Sequence, residues 1–179
     1  VGHDRRYAIH PGKIKKLGAS VYNPEQALEA LEDRQVTHLQ FPFNLLDRRW
    51  KQAGIDKLAK KRKDVTIHAR SIFLQGLLTA DEIPESCFEG MGLKRFIEMI
   101  DRTVKKCGRE NRADLCLAYV RAQEWIHGLV IGLETLGQLE ANLKLFKRPA
   151  LSDAQRAMVE AEFLGAAEDL LNPAKWRHA

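Results

Sequence analysis

The sequence predicts an α/β fold, one domain built on a parallel sheet of four strand–helix units with further helices toward the C-terminus. Three observations predict it. Short apolar runs alternate with segments of helical period four times along the chain. No hairpin signal joins any two of the runs, so the connections are crossovers. Polar side chains also collect at the C-terminal end of each run, where parallel α/β architectures usually place their chemistry.

A chain of 179 residues is long enough for one domain with a real core. Its 45% apolar and 30% charged composition is ordinary for a globular protein. No apolar run approaches the roughly 20 residues of a membrane span. Cys87, Cys107 and Cys116 are scattered and form neither a disulfide nor a zinc pattern. No signal peptide is visible, so a cytoplasmic location is expected. The first residue is Val, which reads as a fragment or a processed product. Net charge is +5. The densest basic run, Lys57–Lys63, closes a predicted helix, where cations suit the dipole. It reads as a solvated helix end rather than a nucleic-acid surface.

The elements follow in order. Residues 1–13 read as irregular. Lys15–Tyr22 is the first strand. Asn23-Pro24 then starts a helix over Glu25–Asp33, with Asn as cap and Pro at the first helical position. Leu28 and Leu31 point inward, and Glu25, Glu29 and Glu32 are solvated. Val36–Phe43 is the second strand, with His38 and Gln40 on one face, Leu39 and Phe41 on the other, and Pro42 ending the regular pairing. Asn44 or Asp47 caps a helix over Arg48–Lys63 whose apolar positions include Trp50, Ile55 and Leu58.

Val65–Ala69 is the third strand. Val65, Ile67 and Ala69 share one face, and Thr66, His68 and Arg70 the other. Ser71–Gly76 is a loop, and Leu77–Gly92 a longer one of the kind that is usually a functional lid or disordered. Leu93–Cys107 is a strongly amphipathic helix stopped by Gly108. Asp114–Trp125 is another helix, and Gly128–Leu133 the fourth strand. A helix over Thr135–Phe146 carries Leu136, Leu139, Leu143 and Phe146, and Ser152–Leu171 closes the chain. Four such units are half of an eightfold barrel or a small doubly wound sheet.

The strand ends supply Gly18 and Ser20, then Gln40 and Asn44, then Arg70 and Ser71, then Gly132 and Glu134. Hydroxyls, amides and a guanidinium with few carboxylates make a binding set rather than an acid–base set. It suits a neutral amide plus phosphates. Gly132, just before the helix that begins near Thr135, is a place where phosphate can meet backbone N–H groups. His38 and His68 hold equivalent places on adjacent strands. A metal pair there lacks a third ligand at fitting spacing, so they read as hydrogen-bonded interior histidines.

Four segments resemble one family in the right order. KKLGASVYN (residues 15–23), HLQFPFNLLDRR (38–49), HARSIFLQGLLT (68–79) and VIGLETLGQLEANL (130–143) are similar to the strand and loop motifs of the aldo-keto reductases. The likeness runs from Lys13 to Trp176. It implies a (β/α)8 TIM-type barrel binding a nicotinamide dinucleotide, with this chain matching strands five to eight, the C-terminal half.

By that resemblance Ser20 and Gln40 hold the nicotinamide carboxamide. Arg70 stands where the family usually has an aromatic stacked on the nicotinamide ring. Ser71, Phe73, Leu74 and Gly76 wrap the pyrophosphate, and Gly132, Glu134, Gln138 and Asn142 contact the adenosine end. Glu134 and Gln138 occupy the region where members that bind NADP often carry Lys, Ser or Arg, so both NADP and NAD stay open. The family's Asp, Tyr, Lys and His tetrad comes from its first four strands. Only His3, in a His-Asp pair similar to the one that ends the fourth strand, is a catalytic candidate here. Without the Tyr, carbonyl reduction lacks its proton donor, a loss typically of roughly 100- to 10,000-fold.

The resemblance therefore implies an oxidoreductase portion carrying the cofactor side of a site. It would be inactive alone and would be completed by an N-terminal half-barrel or by a second copy. A non-catalytic, self-associating assembly module is the alternative. A phosphate-binding barrel of another reaction class is a weaker third reading.

Overall fold

The computed structural model describes residues 13–80, 93–164, 166 and 168–176. Strands β1 (Leu17–Ser20), β2 (Val36–Pro42), β3 (Thr66–Arg70) and β4 (Gly128–Leu129) form one sheet in that order, every neighbouring pair parallel. Among the described residues the sheet is not closed, and β1 and β4 are its free edges. Helices α1 (Pro24–Glu32), α2 (Arg49–Gln52), α3 (Ile55–Lys61), α4 (Leu93–Lys106), α5 (Arg112–Arg121), α6 (Leu136–Phe146), α7 (Asp153–Glu162) and α8 (Glu168–Leu171) fill the connections and the C-terminal part. The alternation expected from the sequence is the architecture observed. His3 and positions 81–92 of the expected long loop lie outside the described residues.

Local chemistry sets most of the boundaries. Asn23 caps α1 by accepting the Gln26 N–H at 2.9 Å, and Pro24 opens the helix. Ser152 and Gln155 form a reciprocal capping box on α7. Gly108 follows α4 with φ 61°, a left-handed turn that releases the chain.

Four expectations need correction. The single helix over Arg48–Lys63 is two helices, because Gly54 (φ 76°) turns the backbone left-handed between α2 and α3. Asp47 does not cap through N3 there. Its carboxylate instead accepts Arg49 N–H, the Arg49 guanidinium and Trp50 Nε1. The closing helix over Ser152–Leu171 is also two, as the backbone becomes extended at Phe163 (φ −108°, ψ 89°). The fourth strand is much shorter than Gly128–Leu133, since its ladder with β3 extends only as far as the Val130 N–H bonded to Ala69.

One face of the sheet makes the core. Leu39, Phe41, Ile67 and Ala69 are fully buried beneath the helices. Beside them Phe41 stacks on Trp50 with ring centroids 4.2 Å apart, and Phe43 on Tyr119 at 5.9 Å. Arg48 is buried among these rings. Its Nε donates to the Phe163 carbonyl at 2.8 Å, Nη2 to Val159 at 3.1 Å, and Nη1 to the Tyr119 hydroxyl. Burial, above all, pushes the Tyr119 phenol well above its ordinary range. A guanidinium here satisfies the Phe163 carbonyl just past the end of α7 and adds a second donor to the Val159 carbonyl, which already accepts the Phe163 N–H.

The basic residues of the run Lys57–Lys63 are solvated except one. Arg62 is buried and donates to the carbonyls of Leu31 and Val36, tying α1 and β2 to the end of α3. It also holds the Asp64 carboxyl down at about 2 through a hydrogen bond. The apolar residues read along α6 are mostly unburied. Leu136, Leu139, Leu143 and Phe146 are exposed, and Leu145 is the buried residue of that helix.

Candidate functional site

The other face of the sheet carries the candidate site. Alternation along each strand places Gly18 and Ser20, His38 and Gln40, and Thr66, His68 and Arg70 opposite the buried set. Parallel registration then aligns them: Ser20 pairs with Gln40, Gln40 with His68, and Pro42 with Arg70. Ser20, Gln40 and Arg70 therefore share one face and the C-terminal end of their strands.

The Ser20 hydroxyl lies 3.4 Å from Gln40 Oε1. This hydroxyl–amide pair is neutral and offers both donors and acceptors, which is what a carboxamide needs. Arg70 donates from Nη2 to the Val21 carbonyl at 3.4 Å, and its guanidinium lies 4.3 Å from the centre of the Tyr22 ring. Asn44 reaches across from the end of β2 to the Ser71 carbonyl, Nδ2–O 3.4 Å.

The loop after β3 has unusual backbone geometry. Ser71 (φ 57°), Leu74 (φ 47°) and Gln75 (φ 54°) are left-handed non-glycine residues, and Gly76 (φ 85°) follows. Each such residue costs on the order of 1 kcal/mol, so the surroundings must hold them. They do, through a chain of turns: Leu74 N–H to Ser71 O at 3.0 Å, Leu77 to Leu74 at 3.1 Å and Leu78 to Phe73 at 3.1 Å. The Leu74 side chain is buried in the core and Phe73 packs against it, so the polar surface these two offer is their backbone.

Gly132, Glu134, Gln138 and Asn142 lie at the opposite edge, beyond β4. Three strand spacings of about 4.8 Å separate β1 from β4, so the rim is on the order of 14 Å wide. Open space surrounds Gly132, with nothing within 4 Å of where a Cβ would stand. The start of α6 is already capped: Thr135 Oγ1 accepts the Gln138 N–H at 3.2 Å, and Gln138 Oε1 accepts the Glu134 N–H at 2.8 Å. Gln138 thus has a local structural duty here, while Asn142 sits one turn further along the helix.

Beneath the rim His38 Nε2 and His68 Nδ1 are 3.2 Å apart, with the rings edge to face. A Cβ on Gly18 would stand 3.0 Å from His38, and one on Gly128 only 2.8 Å from the His68 ring. The imidazoles fill space that the two glycines leave. Burial, then the nearby His38 and His127, lowers the His68 pKa. His127 Nδ1 accepts the Ile67 N–H at 3.0 Å, so its unprotonated nitrogen helps seat β4 on β3. Among the described residues no three His, Cys, Asp or Glu side chains are grouped to hold a metal ion. No helix of the described residues is long and apolar enough to cross a membrane.

Sequence reading missed Tyr22 as a partner of Arg70, and Gly128 as the seat of His68. Nothing local signals the first, since Tyr22 lies just past β1 and Arg70 ends β3, two places away in the sheet. A glycine opening a strand was the available sign of the second.

The family model described as "Aldo/keto reductase family" matches residues 7–162. Comparison with curated proteins finds no match. Among solved structures, an aldo-keto reductase from Bacillus halodurans in its holo form superposes with a TM-score of 0.69 at 19% identity, over 89% of this chain and 54% of that one. The glycerol dehydrogenase of Gluconobacter oxydans gives a TM-score of 0.67 at 23% identity, over 90% of this chain and 52% of that one. The chain spans about half the length of the solved structures it matches.

Proposed function

The chain belongs to the aldo/keto reductase family, and from that premise we propose that it is the C-terminal half of an oxidoreductase barrel, carrying the side of the site that binds a nicotinamide dinucleotide. The observation that carries this reading is the convergence of Ser20, Gln40 and Arg70 at one end of one sheet face. The residues present fit such a group. Ser20 and Gln40 would hold the carboxamide. The backbone of Ser71–Gly76 offers N–H groups to phosphates. The open space at Gly132, with Glu134, Gln138 and Asn142 beyond it, would take the adenosine end.

The bound cofactor would supply or accept the hydride that interconverts a carbonyl and an alcohol. The residues of this chain would orient the nicotinamide ring through its carboxamide and fix the phosphates along the rim. In this reading the general acid belongs to the complementary half of the barrel, and the chain alone is inactive toward aldehydes and ketones.

Calorimetric or fluorescence titration with NADH and NADPH tests the reading. Binding of either, weakened by Gln40→Ala, is the expected result. Absence of binding at about 1 mM, which would leave less than roughly 4 kcal/mol of affinity, sinks it.

A second reading, a self-associating module, is favoured by one feature: the exposed Leu136, Leu139, Leu143 and Phe146 on α6, the helix that follows the edge strand β4 in the chain. Light scattering decides that one, and a clean monomer ends it.

A further inference from the structure

We propose that Tyr22 and Arg70 form a cationic platform that makes this rim hold the reduced nicotinamide, which is neutral, more tightly than the oxidised nicotinamide, which is a cation. The inference rests on the reading that Ser20 and Gln40 take the carboxamide.

One strand position and two contacts fix the Arg70 guanidinium. It leaves the end of β3 on the same face as Gln40 and two residues further toward the rim. Its Cζ lies over the Tyr22 ring, 4.3 Å from the centre. Its Nη2 reaches the Val21 carbonyl.

That carbonyl is available for a definite reason. In the parallel ladder of β1 and β2, Val21 N–H donates to the Gln40 carbonyl. The next bond would run from the N–H of residue 42 back to the Val21 carbonyl. Residue 42 is Pro and has no N–H. The guanidinium takes the place of the missing donor. Tyr22, released from the ladder, has its own N–H taken by Gln26 Oε1 at 2.9 Å.

Arg70 forms no ion pair with a carboxylate among the described residues, so its charge stays unneutralised on the rim. Asp47, the acidic residue nearest in sequence to the end of β2, is buried and engaged by Arg49 and Trp50. The guanidinium thus sits at the rim by the ends of β1 and β2, on the sheet face that carries Gln40. A ring held there through its carboxamide lies within a few ångströms of a fixed positive charge. A neutral dihydropyridine is indifferent or attracted; a pyridinium is repelled. The rim is open to water, so screening keeps the discrimination modest, at about tenfold in Kd.

The test is a pair of titrations of the chain, NADH against NAD+ and NADPH against NADP+, by calorimetry at low salt. The expected result is about tenfold tighter binding of the reduced form. Arg70→Gln should bring the two affinities together, while Arg70→Lys keeps a preference. Tyr22→Phe should retain the preference and Tyr22→Ala reduce it. Raising salt to about 1 M should shrink it.

Equal affinities in the unaltered chain, or a preference that survives Arg70→Gln, overturns the platform while leaving the dinucleotide reading in place. A preference unchanged in Tyr22→Ala removes Tyr22 from it. If no dinucleotide binds at all, the reading beneath the inference falls with it.

Discussion

Helices α5 and α6 pack against each other, yet they meet opposite surroundings. Seven consecutive residues of α5, Asp114–Val120, are buried. On α6 Leu145 is buried, while Leu136, Leu139, Leu143 and Phe146 form an exposed apolar stripe. α5 lies across the rings of the core, with Tyr119 against Phe43 and Arg48. α6 follows β4, the free edge, where the sheet offers nothing further to cover. The difference teaches that apolar periodicity reports the face a helix is meant to bury, not whether these residues supply its cover. Stability is therefore concentrated on the β2–α2–α5–α7 side, and the β4–α6 side contributes little to it.

Substitutions break or sharpen that contrast, and the core side should give the largest effect. Trp50→Ala removes a fully buried ring stacked on Phe41 and a donor to Asp47, and should lower unfolding free energy by about 3–5 kcal/mol in urea titration. Arg48→Ala comes next. It strips the Phe163 carbonyl and the Tyr119 hydroxyl of a donor and takes one of two donors from the Val159 carbonyl, and a loss of about 2–4 kcal/mol is expected from the same measurement. A loss below about 1 kcal/mol would show that water replaces the guanidinium freely.

Gly128→Ala sits at the boundary between the two regions. Its Cβ would stand 2.8 Å from the His68 ring, so destabilisation of about 1–3 kcal/mol is expected, most of it relieved when His68→Ala is added. At the bottom of the scale is Leu139→Ala on α6, which should change stability by less than about 0.5 kcal/mol. A large loss there would mean that the stripe is covered in solution.

Acid should weaken the sheet in a defined window. The His68 pKa is lower folded than unfolded, chiefly through burial, so the unfolded chain binds more protons. The stability gained from keeping His68 neutral is complete above its unfolded value of about 6.5 and declines as pH falls below it, until the folded pKa is passed. Thermal unfolding followed from pH 8 to 5 (roughly the span over which a histidine titrates) should show this decline. His68→Gln should flatten it.

What the sequence made legible was mostly local. Asn23 before Pro24, Ser152 before Gln155 and Gly108 after α4 act within a turn of themselves, so their residue types announced the boundaries. The strand faces were equally readable, because a period of two needs no knowledge of partners. Gly54 was the exception among local signals, since an isolated glycine in a helical pattern is often tolerated and here it splits α2 from α3. The contacts that escaped are long-range. Arg62 looked like one more cation in a solvated run, yet it is buried against the carbonyls of Leu31 and Val36. Tyr22 looked like a strand end, yet its ring carries Arg70. Neither role exists until strands distant in sequence are brought side by side.

Pro42 carries a consequence for how this chain tolerates change. Any other residue there restores an N–H aimed at the Val21 carbonyl, and the arginine loses its anchor to the backbone of its neighbour. Positions 42 and 70 should therefore drift as a pair across descendants of this sequence, an imino acid inherited together with a guanidinium. Exchanging the first alone would lengthen the edge strand by one rung and set the second adrift.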